Sequence, residues 1–320
     1  MKTILIVLSV ATLAVAFTST PIIGILSQET YSIAHLFPEK YDAFIAASYV
    51  KLLEGAGARV VPIWIGQKES YYQSVVDNTN GVLFPGGATY FNESNGYAEA
   101  GEMIYNYAIR INRYGDYYPI WGICLGMELI MELAVGLSDK EVREDCSCKK
   151  QSLPLNFKSG YKKSKMFANA TNEITSILSN FNVTYNYHSY CVTEMSMKER
   201  GLDKDWKVLS TNKDINGLEF VSSYESNMYP FFGVMFHPEK TIYEFQPRFN
   251  IPHCRNSILA SQYFANTFVE ETRKNSHAFK DWESEQKSLI YNYGTNFTGF
   301  LNSSYEELYL FKKGDFKIFF

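Results

Sequence analysis

The sequence lacks an excess of positive charge: 30 Lys and Arg stand against 34 Asp and Glu, a formal net charge of −4. No global positive field therefore invites a nucleic acid or an anionic membrane surface, and an anionic ligand must find its positive charge locally. Cysteine is scarce, with five in 320 residues. The pair Cys146 and Cys148 has the spacing C-x-C and no second ligand pair nearby, which matches no common zinc pattern, so no metal is expected. No linker, repeat or low-complexity tract divides the chain, and residues 17–320 are expected to form a single domain. The N-terminal apolar run is too short to span a bilayer comfortably. It follows one lysine and ends in Ala14-Val15-Ala16, the small-x-small pattern of a cleavage site, so residues 1–16 read as a removed signal peptide and no membrane anchor is expected.

A secretory leader changes how the remaining features are read. Asn92, Asn169, Asn182, Asn296 and Asn302 each open an N-x-S/T sequon and become candidate glycosylation sites. In an oxidising compartment Cys146, Cys148, Cys191 and Cys254 can pair, with three connectivities open. Cys124 is the odd one out.

What is present is a large apolar inventory, 46% of residues, ample for a buried core. From Pro21 onward short apolar runs alternate with longer amphipathic ones. Strands are predicted over 22–26, 59–65, 81–84 and 119–123, and helices over 41–54 and 97–113. Such alternation implies right-handed crossovers and a doubly wound, mostly parallel α/β sheet with helices on both faces. Residues 149–186 read as polar and loop-rich. Strand signals return over 206–211, 218–223 and 231–236, close enough for an antiparallel or mixed extension of the sheet, and a helix is predicted over 256–273. From about 275 the chain gives only weak periodicity and reads as an irregular extension.

Within this frame Cys124 falls where a strand turns directly into a helix, and reactive groups gather beyond the carboxyl ends of such strands. Gly122 and Gly126 relieve the crowding of a tight elbow, and the positive end of the helix is expected to favour a thiolate. A thiolate nucleophile needs a base held by a third group. His237 also ends a strand, and Glu239, two residues on, is expected to share its face and receive a ring N–H. Pro85-Gly86-Gly87 after the third strand can turn backbone N–H groups into a cavity, so the amides of Gly87 and Leu125 are candidates for an oxyanion hole.

These residues resemble the class I glutamine amidotransferase-like hydrolases, a flavodoxin-like three-layer sandwich marked by a G-x-C-x-G elbow, a later H-P-E and an upstream P-G-G. Within that group the chain is similar to the γ-glutamyl hydrolases in PIIGIL (21–26), IAASYVKLLEGAGARVVP (45–62), GVLFPGG (81–87), YYPIWGICLGMEL (117–129), PLNF (154–157), GVMFHPEK (233–240) and ETRKNSHAFK (271–280). The resemblance implies a homodimeric glycoprotein, lysosomal, vacuolar or secreted, that needs no cofactor and cleaves folyl- and antifolyl-poly-γ-glutamates. It implies Cys124 as nucleophile, His237 as base and acid, Glu239 as its orienter, and His188 and Gly86 near the substrate. Glu128, four residues after the cysteine, stands where glutaminase domains usually carry Gln, and is a further substrate-binding candidate. Lys240 is a candidate cation for a substrate α-carboxylate. The other readings are a glutaminase or general cysteine peptidase of the same fold, and an inactive lumenal binding glycoprotein.

Overall fold

The structure, a computed structural model, describes residues 18–137 and 142–316; the expected signal peptide lies outside them. Its centre is an eight-stranded sheet made of β1 (Ile22–Leu26), β2 (Arg59–Ile63), β3 (Gly81–Phe84), β4 (Ile120–Ile123), β5 (Asn156–Phe157), β6 (Trp206–Lys213), β7 (Glu219–Ser226) and β8 (Phe231–Val234). The strand order is β2-β1-β3-β4-β8-β7-β6-β5. The first five are parallel and the last three add antiparallel. β1, β3, β4 and β8 are buried from end to end, as strands covered on both faces must be. The covering helices form two packed groups. One holds Glu69–Asn78, Tyr97–Arg113 and Leu125–Ala134; the other holds Ala47–Glu54, Pro238–Tyr243 and Arg255–Thr272. Right-handed crossovers send connections leftward and rightward from β1 to opposite faces, so a doubly wound sheet produces this division. None of the described helices is long and apolar enough to cross a membrane.

Several elements differ from the sequence reading, each because a distant partner overrides local pattern. The helix expected over 41–54 begins only at Ala47; Ala43–Ala46 is a strand, paired antiparallel with Glu307–Phe311 from the far end of the chain. Residues after 275, expected to be irregular, supply a helix (Trp282–Ser288) and complete a three-stranded sheet of Thr295–Phe297, Glu307–Phe311 and Ala43–Ala46. The stretch read as a polar loop is a long ladder, Arg143–Leu153 against Thr184–Val192, with a helix at Asn172–Asn180 between. Its polar composition hid it, because the ladder stands outside the main sheet. Helix Glu69–Asn78, unassigned in the sequence, buries Tyr71, Tyr72, Val75 and Val76. Of the four cysteines able to pair, Cys146 and Cys191 are bridged across the ladder, while Cys148 and Cys254 are free.

Candidate active site

The carboxyl ends of the parallel strands open into a cleft of about 340 Å³ whose walls include Gly87, Cys124 and His237. Cys124 follows β4 at φ 50°, ψ −111°, a backbone conformation that side chains rarely adopt and that aims the thiol away from the sheet. The flanking glycines make the turn sterically feasible. A Cβ on Gly122 would stand 2.4 Å from the Gly126 carbonyl oxygen, and one on Gly126 would stand 1.9 Å from that of Phe84. The elbow thus wedges the helix Leu125–Ala134 directly onto β3 and β4.

His237 follows β8, and Pro238 starts a helix at once. This corrects the expected spacing argument: Glu239 reaches the imidazole from the first turn of a helix, not along a strand. His237 Nδ1 lies 2.7 Å from Glu239 Oε1, which places the proton on Nδ1 and turns the other nitrogen outward. Nε2 and Glu239 Oε2 are buried with no hydrogen-bond partner among the described residues. A Cβ on Gly86 would meet His237 Cε1 at 2.8 Å and Cys124 Cβ at 3.1 Å, so the two side chains come together against one glycine.

The thiol is not stabilised as a thiolate, contrary to the expectation from the helix terminus. Burial pushes the Cys124 pKa well up, and the charges of Glu128 and Glu239 push the same way; the Leu125 N–H and Lys240 only partly offset them.

Residues absent from the sequence reading hold the Pro85-Gly86-Gly87 loop. The Gly86 amide donates to Tyr49 Oη at 2.9 Å, Gln28 Nε2 donates to the carbonyls of Pro85 and Gly86, each at 3.1 Å, and Tyr97 Oη donates to the Pro85 carbonyl at 2.8 Å. Their only sequence signal was buried aromatic and amide groups on elements near β1.

The remaining candidates separate. His188 is buried behind the site, its Nδ1 3.0 Å from the Tyr190 carbonyl oxygen and its Nε2 3.3 Å from Asn186 Oδ1. Burial first, then the nearby His237, pushes its pKa down to about 3, so it is neutral; it does not line the cleft. Glu128 is buried in an ion pair with Arg143 at 3.2 Å and is also not on the cleft wall. Lys240 does line the cleft, with Nζ 3.3 Å from the Ser304 carbonyl oxygen and over the Tyr305 ring. All five sequon asparagines, Asn92, Asn169, Asn182, Asn296 and Asn302, are exposed, and the Asn302 side chain is also bonded to Arg248 at the cleft.

Fold and side-chain arrangement are those of a cysteine-dependent hydrolase built on a doubly wound α/β sheet. The chain belongs to the peptidase C26 family, whose model matches residues 21–239. It is 39% identical to γ-glutamyl hydrolase B of Dictyostelium discoideum over 94% of this chain and 87% of that one. It is 40% identical to γ-glutamyl hydrolase of Bos taurus over 91% of this chain and 89% of that one. With γ-glutamyl hydrolase 2 of Arabidopsis thaliana it shares 30% identity over 91% of this chain and 83% of that one.

Proposed function

We propose that this protein hydrolyses the γ-glutamyl amide bonds of folyl- and antifolyl-poly-γ-glutamates through an acyl-enzyme. The observation that carries this reading is the meeting of Cys124 and His237 over Gly86, in a chain so similar to named γ-glutamyl hydrolases. Because burial keeps the resting thiol protonated, its proton passes to His237 Nε2 as sulfur attacks the γ-carbonyl carbon. Glu239 holds the Nδ1–H and stabilises the imidazolium that forms. The N–H groups of Gly87 and Leu125 receive the oxyanion. The imidazolium then protonates the leaving glutamate nitrogen, leaving a thioester on Cys124. Water, deprotonated by the now neutral His237, cleaves the thioester and releases a γ-carboxylate, restoring the thiol. His188 and Glu128 act from behind this relay: the first lies close enough for its charge state to be coupled to that of His237, the second fixes the elbow helix to Arg143.

The test is chromatography of products after incubation with a defined folate pentaglutamate. Shortened folates from the wild-type protein and none from Cys124→Ala, a loss of at least about 10⁴-fold, are expected. Ammonia from free glutamine with the pentaglutamate intact would overturn the reading in favour of a glutaminase.

The leader-like N-terminus, the sequons and the Cys146–Cys191 bridge support a glycoprotein of the lysosome, vacuole or extracellular space. A homodimer rests on the family resemblance, and sedimentation of the purified protein tests it.

A further inference from the structure

The cleft beside Cys124 carries more positive charge than the proposed relay uses. Lys150, Lys240 and Arg248 all line it, and its described walls include no Asp or Glu. The larger surface cleft, about 590 Å³, differs: it sets Glu144, Glu194, Glu199 and Glu219 beside Arg143 and Arg200. In an acidic protein, cations concentrated at one concave site whose described walls carry no carboxylate mark where an anion is taken.

Two of these cations are aimed by unusual local structure. Lys150 sits at φ 58°. It is the extra residue where the ladder register slips between Lys149, opposite Tyr187, and Gln151, opposite Asn186. A bulge with a left-handed residue re-aims a side chain, and here it lies over Phe249, with Nζ 5.7 Å from the ring centroid. Arg248 flanks the same ring, its guanidinium carbon 4.7 Å from the centroid. The guanidinium bonds the Asn302 side chain and carbonyl, and the Ser303 carbonyl at 2.6 Å. These partners are neutral oxygens, which orient the guanidinium without cancelling its charge.

We propose that Lys150 and Arg248 bind α-carboxylates of the γ-linked glutamate chain and thereby set a preference for long polyanionic substrates over short ones. The inference rests on the γ-glutamyl hydrolase reading. In a γ-linked chain every residue keeps a free α-carboxylate, so successive glutamates present successive anions; a cationic fork and an ammonium around one ring can bind two of them.

The test measures KM and kcat for pteroyl diglutamate and pteroyl pentaglutamate at low and high salt, in the wild type, Lys150→Gln, Arg248→Lys and the Lys150→Gln/Arg248→Gln double variant. The expected result is a KM for the pentaglutamate raised roughly tenfold to hundredfold in the double variant. Its kcat stays within about threefold, its salt dependence of KM is flattened, and Arg248→Lys, which keeps the charge, retains most of the chain-length preference. An unchanged KM for the pentaglutamate, or an equal loss for both substrates, overturns the inference while the enzyme reading stands. A wild-type protein that cleaves neither substrate overturns the parent reading instead.

Discussion

The Tyr49 hydroxyl lies 3.4 Å from His237 Nδ1 and accepts the Gly86 amide at 2.9 Å, so one buried phenol joins the histidine to the glycine loop. Burial, and then the charge of Glu239, push its pKa well up, which keeps the hydroxyl protonated. Tyr49 is a positioning residue. Tyr49→Phe leaves the Gly86 amide without its acceptor and loosens the loop that carries the Gly87 amide, which Gln28 and Tyr97 still hold at its carbonyls. A fall in kcat of roughly 3- to 30-fold is expected, from about 0.7–2 kcal/mol of lost hydrogen bonding, with KM for a folate polyglutamate little changed. Steady-state kinetics check this; a raised KM with intact kcat would place Tyr49 in substrate binding instead.

Gly126 is required by contact rather than by backbone conformation. Its missing Cβ would fall 1.9 Å from the Phe84 carbonyl oxygen, a backbone atom that cannot yield without moving β3. Gly126→Ala should therefore destabilise the fold by at least about 3 kcal/mol, despite alanine's better helix propensity. Urea denaturation measures the loss; a change below about 1 kcal/mol would mean that the elbow is more compliant than its packing indicates.

The same elbow shows how much of the site was legible beforehand. Gly122, Cys124 and Gly126 stand between an apolar run and an amphipathic one, so close strand-to-helix packing leaves a mark in residue types. His237 and Glu239 were legible as neighbours, although their contact comes from a helix start imposed by Pro238 and not from strand alternation. Tyr49 and Lys150 were not legible. Tyr49 is one buried tyrosine among many until β1 and β3 align, and Lys150 becomes special only through a register slip between strands distant in sequence. The C-terminal sheet was hidden for a related reason, since Glu307–Phe311 finds its partner at Ala43–Ala46, which locally reads as helix.

His277 and Asp116 form a second titrating pair, away from the cleft, with Nε2 and Oδ2 2.7 Å apart. Burial lowers the His277 pKa, but the bond and charge of Asp116, with the Val76 carbonyl, outweigh it, and the net shift is upward. The bond from His277 holds Asp116 below its ordinary value. A raised histidine stabilises fully below its ordinary pKa of 6.5 and loses that contribution as pH rises through the folded value. A lowered aspartate stabilises fully above 3.8 and loses that contribution as pH falls through its folded value. The pair is thus at full strength in mildly acidic solution. His277→Gln should cost about 1–3 kcal/mol at pH 5 and less at pH 8, read from thermal or urea unfolding. An equal cost at both pH values would mean that the charge contributes nothing.

Glu244, at the end of the helix that begins with Pro238, makes the opposite kind of contribution. Its Oε2 accepts the Glu306 amide at 2.6 Å, and the Ser48 hydroxyl also favours its charged form. Burial is the main cause of a pKa pushed up to about 7, opposed by Lys240 and the Glu306 amide and reinforced by Glu239. The folded state therefore holds this proton more tightly than the unfolded chain does. Stability is greatest below the ordinary value of 4.5, falls as pH rises to about 7, and is flat beyond. The ionisation costs roughly 3 kcal/mol at pH 8. Glu244→Gln keeps an oxygen for the Glu306 amide and removes the charge. It should exceed the wild type in stability by roughly 2 kcal/mol at pH 8 and match it near pH 4.5. Because Lys240 lines the cleft, with Nζ 3.3 Å from the Ser304 carbonyl oxygen, and its charge acts on this carboxyl, ionising Glu244 offsets part of the positive charge at the cleft. The wild type should accordingly lose affinity for polyglutamate between pH 5 and 8 more steeply than Glu244→Gln, and parallel KM profiles for the two would refute that coupling.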